Sequence, residues 1–212
     1  MKKILLMILA VTSMANFSSA QNNNTDFRDK LQFGLKAGLN LSNVYDTKGD
    51  QFDAKAKLGF AGGAFIAIPI GTYLGVQPEF LFSQKGFQAS GKIIDLTYKF
   101  TRTTTYIDVP ILFALKPSEF ITILAGPQYS YLINQKDVFS SSTINSDQEQ
   151  EFKNDNIRKN TLCFTGGLDI TIKHFVLSAR VGWDLTTNNG DGTSTDPRYK
   201  NVWYQGTLGF RF

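Results

Sequence analysis

The residues that could carry acid–base, nucleophilic or metal chemistry in this 212-residue chain are few. His174 is the only histidine and Cys163 the only cysteine, so no His/Cys set has the spacing of a zinc site. His174 lies in the dipeptide Lys173-His174 between two alternating apolar and polar runs, the setting of a hairpin tip. A catalytic base needs a Ser or acidic partner within hydrogen-bond reach in a cleft, and a hairpin tip supplies none. Asp46, Asp50 and Asp53, or Asp191 and Asp196, could attract calcium, but they lack the alternating ligands and closing bidentate Glu of a calcium loop and read as solvated loop residues. A different set remains. Lys36, Glu79, Asp108, Asp169 and Arg180 all stand on the polar side of alternating segments, at similar depth once the segments are aligned. Glu79 and Asp108 fall on neighbouring segments, and two carboxylates in a dry site need a cation, here Lys36 or Arg180. Such a set can form a structural salt-bridge plug or a narrow, proton-linked polar path. No catalysis, cofactor or metal is expected.

The elements that must position these charges are strands. From Leu31 to Ser42, twelve residues alternate without error: Leu31, Phe33, Leu35, Ala37, Leu39 and Leu41 on one face, Gln32, Gly34, Lys36, Gly38, Asn40 and Ser42 on the other. Seven further segments repeat the pattern, at about 57–70, 73–84, 103–115, 121–133, 161–172, 175–185 and 201–212. Pro78, which lacks a ladder donor, is expected to mark a bulge or irregularity in the third. The last segment carries Val202, Tyr204, Leu208, Phe210 and Phe212 on its apolar face and ends on Phe212. Each is close to the 9–11 or so tilted residues that cross a bilayer as a strand.

The connections alternate strictly. Long polar stretches, Asn43 to Lys55, Lys85 to Tyr98, Asn134 to about Asn160, and the loop around Asn188 to Gly192, face short turns at Pro69–Thr72, Lys116–Glu119 and Lys173–His174. The Asn134 to Asn160 stretch, rich in Ser, Asn, Gln and Asp, reads as a solvated, mobile excursion. Short turns at one end and long loops at the other are the mark of a membrane barrel, and they require an even strand number. The expectation is an all-β, eight-stranded antiparallel up-and-down transmembrane β-barrel spanning residues 31–212, with both ends of the barrel on the short-turn, periplasmic side.

The N-terminus supports export. Lys2 and Lys3, then the apolar run Ile4 to Val11, then Ser18-Ser19-Ala20 form the series of a secretory signal, with cleavage expected after Ala20. Residues 21–30 read as a periplasmic lead-in without structure of its own. Losing residues 1–20 leaves 192 residues (212 − 20) and, with Lys2 and Lys3 gone, lowers the formal charge from +4 to +2, which gives no reason to expect nucleic acid. No apolar run reaches the roughly 20 residues of a membrane helix.

Aromatic residues on the outward face fall into two belts. Phe82, Tyr129, Tyr131, Trp183 and Tyr204 should lie toward the long-loop rim, and Phe33, Phe113, Phe175, Phe210 and Phe212 toward the short-turn rim, both at the lipid interface. Expected partners are therefore outer-membrane lipid and, through the loops, other envelope or surface molecules, with the barrel itself a monomer.

Four stretches carry a family resemblance: Phe33-Gly34-Leu35-Lys36-Ala37-Gly38-Leu39-Asn40, Tyr106-Ile107-Asp108-Val109-Pro110-Ile111-Leu112, Ala125-Gly126-Pro127, and Leu208-Gly209-Phe210-Arg211-Phe212. With them the chain resembles the small outer-membrane β-barrels of Bacteroidetes labelled PorT-like, from about Leu31 to Phe212. The resemblance implies a porin-like barrel in the cell envelope and, through the family's named member, a secretion-accessory role as the alternative to a structural or surface-interaction role. The terminal strand also resembles the C-terminal aromatic signal read by the barrel-assembly machinery, with Phe212 as its last residue.

Overall fold

A computed structural model describes residues 26–46, 54–93, 96–141, 145–146, 158–188 and 199–212. The expected signal, residues 21–25 of the lead-in, and Asp50, Asp53, Asp191 and Asp196 lie outside the described residues. Eight strands form the wall: β1 (Gln32–Asp46), β2 (Ala54–Pro69), β3 (Leu74–Ile93), β4 (Leu96–Leu115), β5 (Ile121–Ser141), β6 (Asn160–Ile172), β7 (Phe175–Asp184) and β8 (Tyr199–Arg211). Each pairs antiparallel with the next, and β8 pairs with β1, so the sheet closes without an edge. A two-residue strand, Asn145–Ser146, adds to the outer end of β5. The chain is an all-β, eight-stranded up-and-down barrel.

The barrel is strongly sheared. A walk along registered partners from Thr171 passes Val176, Gly209, Lys36, Gly63, Leu81, Asp108 and Ser130, and returns to β6 at Thr161, ten residues away (171 − 161). Shear of this size tilts the strands against the barrel axis, roughly 35–45° for such barrels. Residues that look level on a straight alignment therefore stand at different heights.

Alternation sorts the side chains as expected, but inside out relative to a soluble protein. Leu35, Leu39, Phe80, Phe113 and Leu208 point outward, Phe113 with 66% of its surface exposed, while Lys36, Glu79, Asp108, Asp169 and Arg180 are all buried inside. A continuous apolar band with a polar interior is stable only where the solvent outside is hydrocarbon. The interior also holds apolar filler: Leu112, Ala114 and Leu124 in one cluster, Tyr106 and Leu132 in another.

Two interior rings fit only because glycine faces them. A Cβ on Gly34 would lie 2.3 Å from Phe65, and one on Gly182 would lie 2.3 Å from the Trp203 indole. These small inward positions make room for the two rings that block the bore.

Three expectations are corrected. Residues 26–30 are not a bare lead-in: Lys30 N–H donates to Phe27 O at 3.1 Å, and Arg28 binds Asp26, folding the segment into a turn. The stretch Lys85 to Tyr98 is not a long loop, because β3 runs to Ile93 and β4 starts at Leu96 with these two residues paired. Gly86, at φ 144°, is in the left-handed region that favours glycine, and with it the backbone carries Lys85 and Phe87 inward instead of into solvent. Likewise β5 continues past Asn134 to Ser141, opposite Tyr98 to Thr105, so the proposed excursion begins later. Polar composition suggests loop in both places, but pairing with a neighbouring strand holds these polar residues in the ladder. Beside Pro78 the β2–β3 ladder is interrupted between Phe65↔Glu79 and Ile68↔Val76, the local irregularity expected of a residue without a donor, but the register does not shift there. The shifts fall instead between Ala56 and Ala61 and between Thr105 and Tyr106.

Candidate functional site

Among the described residues, chemically active side chains concentrate in the polar lumen, which is built in layers. At the short-turn mouth the segment Asp26 to Leu31 folds across the opening as a strap. Lys116 Nζ donates to Arg28 O at 2.6 Å, Gln32 Nε2 donates to Phe27 O, and Arg211 lies over the Phe27 ring at 4.8 Å. Arg211 also donates to Gln32 Oε1 and Lys173 O, each at 2.8 Å. The Arg28 side chain, hydrogen-bonded to Asp26, holds that carboxyl below its ordinary value. Burial pulls the Lys116 ammonium below its own, against the opposing pull of Asp29.

Above the strap lies a cavity of about 40 Å³, and above that an ionic quartet. Lys36 pairs with Glu79, and Arg180 reaches both Asp169 at 2.6 Å and Glu79 at 3.6 Å. Gln77 Nε2 bridges the two carboxylates, 3.0 Å from Glu79 and 3.3 Å from Asp169. Two cations face two anions, so the layer is neutral and cross-links β1, β3, β6 and β7. Alternate positions of strands put these groups inward; only closure and shear bring four strands' charges to one point.

The next layers continue the block. Asn40 donates to Ser83 at 2.9 Å and accepts from Gln205 at 3.0 Å. Lys85 is fully enclosed: its Nζ stands 3.1 Å from Asp108 and 3.7 Å from the centre of the Trp203 ring, with Tyr106 at 4.8 Å. A cation over aromatic faces in a dry lumen is held by the ring quadrupoles as well as by its carboxylate. Asp184 accepts from Asn201 N–H at 2.9 Å, Asn201 Nδ2 at 2.6 Å and the Cys163 thiol at 3.2 Å. At the long-loop rim Arg102 grips Asp137 in a two-pronged pair of 2.8 and 2.6 Å and donates to the Tyr199 hydroxyl at 3.0 Å.

Of the five lumen charges read from the sequence, Lys36, Glu79, Asp169 and Arg180 meet. Asp108 does not. The register sets it opposite Leu81, two residues above Glu79, and its cation is Lys85 rather than Lys36 or Arg180. Lys85 stands in a stretch whose polar composition reads as loop, and nothing local in the sequence marks the partners of Asp184. Outward, Phe82, Tyr129, Tyr131, Tyr204, Phe210 and Phe212 are exposed on the wall, and Trp183 is half-buried there against Phe164 with ring centres 5.3 Å apart. Tyr129 also donates to Asn160 Oδ1 at 2.5 Å. His174 is part of the short-turn surface, its Nδ1 3.0 Å from Arg211 O and its ring stacked on Phe210 at 5.4 Å. No cluster of three or more potential metal ligands occurs among the described residues.

Comparison with solved structures finds other barrels. Ail, the attachment invasion locus protein of Yersinia pestis, in complex with the heparin analogue sucrose octasulfate, aligns at 15% identity and TM-score 0.44 over 86% of this chain and 99% of Ail. Neisserial surface protein A aligns at 12% identity and TM-score 0.45, covering 85% and 97% of the two chains. OprG of Pseudomonas aeruginosa aligns at 14% identity and TM-score 0.38, covering 85% and 95%. No curated protein matches the chain significantly. A family model described as "Outer membrane protein beta-barrel domain" matches residues 19–188, most of the sequence. Closed wall, apolar exterior and this match agree: the chain belongs to the outer membrane protein beta-barrel domain family.

Proposed function

We propose that this outer-membrane barrel is a plugged, monomeric scaffold whose function lies in what its long-loop rim contacts, with no catalysis. The observation that carries this reading is the lumen: ion pairs, Phe65, Tyr106 and Trp203 fill it in successive layers. An eight-stranded barrel has an interior just wide enough for side chains to fill. In this reading both termini are periplasmic and the outward aromatics, with Trp183 among them, sit at the two lipid interfaces. Planar-bilayer recordings test the plug: wild type and Arg180→Ala should both stay silent, because layers above and below the quartet remain. Current steps in either would favour a narrow transport path. Deleting residues 142–157 should abolish surface binding while sparing heat-modifiable folding; retained binding would move the function away from that loop.

A secretion-accessory role is the second reading, favoured by the PorT-like stretches around Tyr106–Leu112 and Leu208–Phe212. It predicts that reversing lumen charges, rather than trimming loops, alters export. The proposed part of Phe212 in assembly has its own test. Phe212→Ala keeps the backbone N–H that donates to Phe33 O at 2.8 Å and removes only the ring, which packs on Phe210 at 5.3 Å. A severalfold drop in outer-membrane yield with unchanged refolding in micelles is expected; normal yield would make the ring dispensable.

A further inference from the structure

We infer that the outward face of β2 to β5 at the long-loop end binds the phosphate groups of anionic outer-leaflet lipid, with Lys55, Lys99 and Lys136 as its cations. The face continues the lipid-facing wall without a break. Phe82, Ile107 and Tyr131 are registered neighbours on β3, β4 and β5 and form the last apolar row. The next outward row is Gln84, Thr105 and Asn134, and in the row after it Lys136 stands opposite Thr103. Lys55 lies opposite Gln88, itself opposite Thr101, and Lys99 stands two residues beyond Thr101 on β4. Apolar contact therefore gives way, at one level across the strands, to amides, hydroxyls and ammonium groups.

The height fits lipid headgroups. A strand that rises about 3.3 Å per residue at about 40° of tilt climbs roughly 5 Å per two-residue row. The headgroup layer on each side of a bilayer is about 5–8 Å thick, so the rows next above Tyr131 stand in it. Lys55 and Lys99 start one and two rows above Lys136, and their long apolar stems let the ammonium groups reach down to that layer. The sign of the charge is a second observation. Lys55, Lys99 and Lys136 are exposed, and no carboxylate stands on these outward rows among the described residues. Asp137, next to Lys136, is turned inward to Arg102. The short-turn end has no such bias, with Asp29, Lys30, Glu119 and Lys173 all exposed. Across strands about 4.8 Å apart the three lysines stand roughly 12–16 Å from one another, a spacing for phosphates spread over neighbouring headgroups rather than for one small anion.

The inference takes the outer leaflet from the orientation proposed above, and a bilayer with the probe in both leaflets tests the face whichever way the barrel sits. The full chain is refolded into phosphatidylcholine nanodiscs containing a minority of bisphosphorylated lipid A, or of the same glycolipid stripped of its phosphates. Native mass spectrometry then counts the glycolipid that leaves the bilayer with the barrel. Wild type should retain the phosphorylated form severalfold better than the stripped one, and high salt should remove the difference. Equal retention of the two forms would overturn the proposal without reference to any variant. The Lys55→Gln, Lys99→Gln, Lys136→Gln triple variant, checked for folding by heat-modifiable migration, should lose the preference. Lys30→Gln with Lys173→Gln, at the short-turn end, should keep it. A preference that survives the triple variant, or that disappears with the short-turn pair, would place the phosphates elsewhere and equally overturn the site.

Discussion

Arg180→Met is expected to destabilise the folded barrel by about 3–5 kcal/mol, the usual cost of removing one partner from a buried ion pair. Arg180 is the hub of the quartet, touching Asp169 at 2.6 Å and Glu79 at 3.6 Å, and its Nη1 also donates to Leu168 O at 3.0 Å and Ala179 O at 3.2 Å. Without it Glu79 still has Lys36 and Gln77, but Asp169 keeps the Gln77 amide and the Ser178 hydroxyl and no directly paired cation. The cost is therefore mostly that of an enclosed, uncompensated carboxylate. Replacing both, Arg180→Met with Asp169→Leu, should recover most of the loss, because the remaining Lys36–Glu79 pair is neutral. Urea midpoints of the wild type, the two single variants and the double variant form the cycle that measures this. Strictly additive losses would show that the quartet does not act as a unit.

Trp203→Ala is the second large effect, again about 3–5 kcal/mol, because a fully enclosed indole leaves a cavity when truncated. Here the ring also covers Lys85 at 3.7 Å, so truncation strips a cation of one of its two aromatic faces. The same packing makes the opposite change costly. Gly182→Ala places a methyl group 2.3 Å from the indole and should cost about 1–3 kcal/mol by overpacking. Trp203→Phe, a smaller ring, should relieve the Gly182→Ala strain, so the pair should be less destabilised than the sum of its singles. Tryptophan fluorescence follows Gly182→Ala directly, and an unshifted emission with a wild-type midpoint would show that the ring has room to move.

How much of this was legible in the sequence follows from which properties are local. Which way a side chain points depends only on its place in a strand, so period-two alternation was enough to sort Leu35 from Lys36 and Phe80 from Glu79 across eight segments. The length of each short turn was equally local, and with it the even strand number. The strand ends were not. Lys85 to Ile93 and Asn134 to Ser141 are polar, and composition does not distinguish a polar strand held by its neighbours from a loop.

By itself, then, the sequence determined an exported barrel with an apolar outside and a charged inside. Only the tertiary structure decided which charges meet. A stagger of ten residues around the wall places Asp108 beside Lys85, and Glu79 among Lys36, Gln77 and Arg180. That stagger is a property of eight strands closing on one another, carried by no single strand. The strap across the short-turn mouth belongs to the same class: Asp26 to Lys30 has no periodicity of its own, and although its internal bonds turn it locally, Lys116, Gln32 and Arg211 hold it across the mouth.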